Sequence, residues 1–287
     1  MRSIQRFALS IIFSLLPLLG QAQATKEEPK PVGNPPNVVL KFSFEESVQR
    51  WEKVGGGIIA HDTEAANVHA GKGALKFGYR IQGKETAGAV VVLRTAALEK
   101  MKSMRFWVKP DHNTTMVVVL QEKTGGRYIA FFHVYGEAWQ EIALAPEDFL
   151  LSQSEGDAKD LNSKLDLDQV ESLGVGDWSQ WLTRQEGEQI DKLFPIRRGE
   201  HAMYLDDLAV YTDALPENTR QQDKETFIDT FSRPQPFWTP MGVLSLHLFE
   251  GKPLTGKCLK LDFKHAPDTF IAVGRTFSRS AFRFSFR

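Results

Sequence analysis

Apolar side chains alternate with small or polar ones along much of this chain, and this period of two constrains the fold more than any other feature of the sequence. Residues 73–81 (GALKFGYRI) place a large apolar side chain at every second position, and residues 103–110 (SMRFWVKP) repeat the pattern until a proline ends it. Successive side chains of a strand point to opposite faces of a sheet. Such alternation is therefore typical of strands with one buried face.

Turn signals separate these segments. The strongest is Lys123-Thr124-Gly125-Gly126, which lies between two runs rich in Val, Ile and Phe. Glycine accepts the positive φ of a tight turn, so this stretch predicts a β-hairpin. About eight or nine short strands follow one another with almost no helical periodicity. We therefore predict an all-β fold, a β-sandwich of the jelly-roll type over residues 37–213.

The N-terminal 24 residues have the composition of a secretory signal peptide. Arg2 and Arg6 precede an apolar run over residues 7–19, and a small-x-small sequence ends at Ala24. The apolar run is shorter than the ~20 residues that a membrane-spanning helix needs. We expect cleavage after Ala24, a Pro-rich linker over residues 25–36, no membrane anchor after cleavage, and a secreted or periplasmic protein.

Charge and cysteine content exclude two classes of protein. The 35 basic and 36 acidic residues almost cancel, so no electrostatic case for nucleic-acid binding exists. Cys258 is the only cysteine, so an exported fold of this chain is held by core packing, with or without a metal, and not by disulfides.

The C-terminal part of the chain repeats features of the first domain after a polar linker over residues 214–225. The stretch GKCLKL at 256–261 is similar to GKGALKF at 71–77, and the terminal RFSFR is similar to RFWVK at 105–109. We predict a tandem repeat in which residues 226–287 form an incomplete second copy of the sandwich, with an exposed edge strand in SAFRFSFR. The same aromatic and glycine spacing occurs in both copies, at Phe44, Trp51 and Gly55 and at Phe231, Trp238 and Gly242.

Several stretches of the first domain together resemble a known family. They are KFSFEESVQRWE, GKGALKF, MKSMRFWVKP, AWQEIALAPEDF, KLDLDQVESLGV and MYLDDLAVY, distributed over residues 40–211. The domain resembles the galactose-binding-like β-sandwiches, most of all family 11 carbohydrate-binding modules, with the complex I intermediate-associated protein domains next. The resemblance implies a jelly roll with a concave groove for a β-glucan chain and a structural calcium ion outside the groove.

The same resemblance implies the calcium ligands. The family's ligand positions fall on Glu45, on backbone carbonyls from His69 to Lys72, and on Asp206. Ca²⁺ takes six to eight oxygen ligands from carboxylates and carbonyls, which these positions supply. The alternative is that Glu45 and Asp206 are solvated charges at strand ends.

A sugar groove needs aromatic rings for the C–H faces of the sugar and polar side chains for its hydroxyls. The alternative is that the candidate aromatic side chains, given at the end of this paragraph, fill the sandwich core. The loop over residues 150–164 lacks the Arg and Tyr of the family's groove, and residues 183–200 form an added segment positioned to cover or reshape it. The candidate carbohydrate contacts are Tyr128, Phe132, Asp177, Trp178, Gln180 and Trp181.

No sequence pattern of an enzyme is present. The chain contains neither G-x-S-x-G nor H-E-x-x-H, and its seven histidines are dispersed without metal-ligand spacing. We predict an exported, non-catalytic module that binds a β-glucan-like polysaccharide and carries structural calcium. Two alternatives remain open: a structural or protein-interaction sandwich without sugar binding, and the accessory part of a larger glycoside hydrolase whose catalytic module is missing.

Overall fold

The computed structural model describes residues 37–83, 85–152, 159–183, 194, 196–221, 227–242, 244–250, 256–263 and 271–275. The predicted signal peptide, the first linker and the terminal SAFRFSFR lie outside these residues. Eighteen strands, one four-residue α-helix, α1 (Ser179–Leu182), and two 3₁₀ turns, Ala65–Asn67 and Pro146–Asp148, make up the regular structure of the described residues, which confirms the all-β prediction. No helix in these ranges combines the length and the apolar character needed to cross a membrane.

In chain order the strands of the first domain are β1 (Val38–Phe42), β2 (Glu52–Gly55), β3 (Ile58–Asp62), β4 (Ala74–Ile81), β5 (Ala87–Val92), β6 (Ser103–Pro110), β7 (Thr114–Glu122), β8 (Arg127–Val134), β9 (Gln140–Leu144), β10 (Leu150–Leu151), β11 (Val170–Asp177) and β12 (Gly199–Tyr211). The later strands are β13 (Thr219–Gln221), β14 (Phe227–Asp229), β15 (Thr239–Met241), β16 (Leu244–Glu250), β17 (Lys257–Phe263) and β18 (Ala272–Gly274).

Two six-stranded antiparallel sheets form the sandwich. The first has the order β3-β4-β12-β6-β9, with β1 also paired to β12, and the second has the order β10-β8-β7-β11-β5-β2. The predicted hairpin joins β7 to β8, with Gln121 opposite Arg127. Gly125 adopts a φ of 104° in its turn, a conformation that residues with a Cβ rarely take.

The core lies between the two sheets and follows the alternation of the sequence. Leu75, Phe77 and Ile81 of β4 are fully buried, and Phe106 of β6 packs edge-on against Phe132 of β8 at 6.2 Å between ring centroids. Burying one such side chain contributes about 1.5–3 kcal/mol. The sandwich is therefore held by the apolar rows that the sequence pattern shows.

The described residues after β12 form three two-stranded ladders, β13–β14, β15–β18 and β16–β17. β13 falls inside the predicted second linker. The stretch between β14 and β15 packs on the edges of the sandwich: the Gln235 side chain bonds to both backbone groups of Ala143, at 3.0 and 2.8 Å, and the Pro236 carbonyl accepts from His133 N at 3.0 Å. An incomplete second sandwich stays a prediction.

Arg233 anchors this stretch to the first domain. Its side chain is 1% exposed, and its guanidinium contacts Asp148 Oδ2 at 3.1 Å and Glu147 Oε1 at 3.4 Å and also donates to the Pro216 carbonyl. Burial raises the pKa of Asp148, and the charge of Arg233 opposes that rise. The two buried groups therefore depend on each other.

Arg233→Ala should lower the free energy of unfolding by about 3–5 kcal/mol, because it leaves the buried Asp148 carboxylate without its cation. Lys41→Ala is the matched control: the Lys41–Asp207 pair is closer, at 3.0 Å, but its side chains are 41% and 29% exposed. Such a pair contributes at most about 1 kcal/mol. Urea denaturation measures the free energy of unfolding of both variants. Similar losses of stability in the two would show that Arg233 is not an anchor.

Candidate functional site

A cleft of about 820 Å³ opens at one end of the second sheet. Its floor is formed by the β6–β7 loop, the start of β7 and the end of β8, and its walls come from the residues after β11 and from the later strands β15 to β17. The cleft is therefore built jointly by the sandwich and by the chain that follows it. Its polar lining includes Asn113, Thr115, Glu137, Ser245 and Asp262.

The outer face of the second sheet is apolar next to this cleft. Val117, Ile129 and Trp181 are buried there, and Phe131 and Trp178 pack against them. The rings of Phe131 and Trp178 meet edge-to-face at 5.6 Å between centroids. Trp178 in turn meets Phe194, from the added segment, at 5.4 Å. We call Phe131, Trp178 and Phe194 the aromatic row.

Trp178 is the predicted sugar contact that lies in the cleft. Its side chain is half-buried, and its Nε1–H is buried without a hydrogen-bond partner among the described residues. Because this nitrogen is buried, the part of Trp178 that a ligand can reach is the exposed part of its ring. Ligand contact by Trp178 stays a prediction.

Trp181 lies under the row and not in the cleft. Its side chain is 4% exposed and packs on Val117 and Ile129. Gly176 makes room for the Trp181 ring, because the Cβ of any other residue at that position would stand only 2.8 Å from the ring. We correct the assignment of Trp181 from sugar contact to packing residue, since its ring has almost no surface to offer.

Tyr128 and Phe132 belong to the core between the sheets. They are 3% and 0% exposed, because the alternation of β8 turns them inward and turns Ile129 and Phe131 outward. The Tyr128 hydroxyl donates to Asp160. Both assignments are corrected: the aromatic side chain that β8 places in the row is Phe131, which the sequence analysis passed over.

Asp177 and Gln180 are fully buried and hold the end of β11 in place. Asp177 accepts from the hydroxyls of Tyr79 and Thr114, at 2.7 Å each, and from Ser179 N at 2.8 Å. Gln180 bonds to both backbone groups of Ala87 at 2.8 and 3.1 Å. With their polar atoms engaged inside the protein, both are corrected from ligand contacts to structural residues.

The four predicted calcium positions do come together. Asp206 Oδ2 accepts from His69 N at 3.0 Å and Ala70 N at 3.1 Å, and Glu45 Oε2 accepts from Lys72 N at 2.7 Å. The two carboxylates therefore accept hydrogen bonds from the same loop, residues 69–72. The His69 ring stacks on the Trp107 ring at 3.7 Å between ring centroids.

The fold also assembles a cluster that the sequence did not reveal. Ligand atoms of Asp111, His112 and His201 all lie within 4.8 Å of one another. The histidines are dispersed in the sequence, but the fold brings two of them together. The β6–β7 loop is joined to β12 by a hydrogen bond of 3.0 Å from Asp111 N to the Ala202 carbonyl. Ninety residues separate Asp111 from His201 in sequence, so no spacing could have shown the cluster.

The carboxylates around His112 favour the protonated, positively charged form of its ring. Burial opposes its charge, but Asp111 at 2.7 Å and Asp177 at 3.3 Å outweigh that effect and raise the pKa of His112 to about 9. The opposite holds for His133, farther along the cleft. Burial, together with the charge of His247, lowers the pKa of His133 to about 4.

The protein should lose stability in acid through His133. An ordinary histidine accepts a proton near pH 6.5, so the unfolded chain binds it while the folded protein does not. Stability should be full above pH 6.5 and fall as the pH drops from 6.5 to about 4, by up to roughly 3 kcal/mol. Urea denaturation of the wild type and of His133→Gln at several pH values measures this. Parallel stability curves for the two proteins would contradict the assignment.

No protein-family model matches this sequence, and no curated protein matches it. Among solved structures, the chain is similar to a family 11 carbohydrate-binding module from Clostridium thermocellum in complex with a β-1,3-1,4-mixed-linked tetrasaccharide, with 13% identity, 62% of this chain and 96% of that chain covered, and a TM-score of 0.44. It is also similar to the CBM22-1 xylan-binding domain from Paenibacillus barcinonensis Xyn10C, with 16% identity, coverage of 61% and 94%, and a TM-score of 0.37. Family 11 is the family that the sequence motifs resemble.

Proposed function

We propose that this protein is an exported, non-catalytic module that binds a polysaccharide chain in the cleft beside the aromatic row. The observation that carries the proposal is Trp178, a half-buried ring on the cleft wall that packs edge-to-face with Phe131 and Phe194. An aromatic ring packs on the C–H face of a sugar.

Polar side chains around the ring supply the selectivity that stacking lacks. Asn113 and Glu137 stand on one side of the cleft, and Ser245 and Asp262 stand on the other. Amide, carboxylate and hydroxyl groups placed around an apolar platform orient a ligand by its hydroxyls. The sequence motifs that resemble family 11 modules make a β-glucan the first chain to test.

Trp178→Ala should weaken retention on mixed-linked β-glucan by at least about tenfold, since a central tryptophan of a binding site typically contributes 2 kcal/mol or more. Affinity gel electrophoresis with soluble glucan in the gel measures it. The matched control is Trp139→Ala, a half-buried tryptophan near His69 that does not line the cleft.

Equal retention of Trp178→Ala and wild type would place any sugar site elsewhere. If the wild type itself migrates freely through gels of mixed-linked glucan, xylan and cellulose derivatives, the sugar function is wrong. The structural or protein-interaction alternative then gains support from the β16–β17 hairpin, where Phe249 and Phe263 are 43% and 58% exposed.

We further propose the calcium ion between the first strand and β12. Asp206 is fully buried, and its hydrogen bonds among the described residues come from backbone N–H groups. Burial raises the pKa of this carboxyl, the adjacent Asp207 adding to the effect. A divalent cation would compensate this charge, with Glu45 and carbonyls of residues 69–72 as further ligands.

Calcium should raise the melting temperature of the wild type, because an ion that binds only the folded state stabilises it by about 2.7 kcal/mol at a hundred times its dissociation constant. Asp206→Asn should abolish the rise, and Asp207→Asn, one residue away and paired with Lys41, should keep it. Calorimetry with added Ca²⁺ or EGTA measures the melting temperatures of the wild type and of both variants. An unchanged wild-type melting temperature would refute the site.

A further inference from the structure

The ligand atoms of the Asp111–His112–His201 cluster lie close enough together to share one metal ion, within 4.8 Å of one another. His112 Nδ1 lies 2.7 Å and His201 Nδ1 lies 3.1 Å from Asp111 Oδ1. Bonds of about 2.0–2.2 Å from zinc to nitrogen and oxygen place neighbouring ligand atoms about 3.3 Å apart. Small side-chain rotations are enough to bring the observed spacing to this value.

The contacts of His201 direct its Nδ1 at Asp111. Its Nε2 lies 2.8 Å from the Arg197 carbonyl, which only accepts hydrogen bonds, so Nε2 carries a proton. In a neutral ring Nδ1 then has a lone pair, and that lone pair faces both carboxylate oxygens of Asp111 at 3.1 and 3.2 Å. A proton on Nδ1, or a metal ion between the two groups, makes this contact attractive.

The two imidazole rings of the cluster lie side by side, out of contact with water. The imidazoles of His112 and His201 stand only 4.1 Å apart between centroids, and both side chains are at most 5% exposed. A metal ion bound by Asp111 would receive the Nδ1 lone pair of each ring and hold the two rings in this arrangement.

The outer contact of His201 matches that of a metal-binding histidine, and His112 has a carboxylate near its second ring nitrogen. Such a histidine almost always donates its second N–H to a carboxylate or a backbone carbonyl. His201 Nε2 donates to the Arg197 carbonyl, and His112 Nε2 faces Asp177 Oδ2 at 3.3 Å. Asp177 is itself fixed by the hydroxyls of Tyr79 and Thr114. Each ring is therefore held with its Nδ1 directed at Asp111.

We propose that Asp111, His112 and His201 bind a divalent first-row transition-metal ion, for which Zn²⁺ is the probe. Two imidazoles and one carboxylate suit such an ion, whereas calcium prefers sites made of oxygen alone. The ion would tie the β6–β7 loop to β12. Three protein ligands leave one position for water, and Asp111 and His112 line the cleft from which that water comes.

Cobalt substitution tests the proposal directly. Untagged protein, stripped with a chelator, should bind one equivalent of Co²⁺ with the visible absorption of a tetrahedral site, and Zn²⁺ but not excess Ca²⁺ should displace it. Asp111→Asn and His201→Gln should each weaken Zn²⁺ binding by more than about 100-fold, since loss of an outer-shell partner alone lowers affinity about 10–100-fold. Circular dichroism verifies that each variant folds.

His247→Gln is the matched control, an exposed histidine beside the cleft and outside the cluster, and it should bind Co²⁺ as the wild type does. The proposal is overturned if the folded wild type binds no equivalent of either metal at neutral pH. It is also overturned if His247→Gln loses the cobalt spectrum while Asp111→Asn keeps it. Because Asp111 is partly exposed, Asp111→Asn remains informative even if His201→Gln does not fold.

Discussion

Three strands, β1, β4 and β6, pair with β12, the long central strand of the first sheet, and the rest of the structure depends on that pairing. Inward side chains such as Met203 are fully buried against the second sheet, and apolar burial of this kind is what joins the two layers. A bulge interrupts the ladder: the register with β6 shifts after Asp206, and Asp207 adopts a φ of 48°. β12 thus carries Asp206 to the loop at 69–72 and His201 to Asp111.

The second sheet presents an apolar outer face, where a sandwich usually presents polar side chains to water. Val117 and Ile129 are covered there by Trp181, and the half-buried Phe131 and Trp178 continue the surface towards the cleft. An apolar surface bordered by polar groups is characteristic of a binding site. The later strands β15 to β17 form the remaining wall, so the cleft requires both parts of the chain.

Local pattern predicted the strands but not which face of a strand meets a ligand. The alternation of β8 was evident, yet Tyr128 and Phe132 face the core and Phe131 faces outward. Period two defines two faces without saying which one packs on the other sheet. Asp177 likewise ends a strand near a cleft, but Tyr79 and Thr114 bind its oxygens inside the protein. Residue type alone gave no sign of those partners.

By itself the sequence determined the all-β class and the β7–β8 turn, since strand alternation and glycine conformation are local properties. The resemblance to a known family, and not a local pattern, implied that Glu45 and Asp206 share one loop. Only the tertiary structure decided which tryptophan lines the cleft, and only it brought His201 to Asp111 and His112. Those contacts join residues far apart in the chain. Their distances are set by sheet pairing and by packing between the layers, which no short stretch of sequence contains.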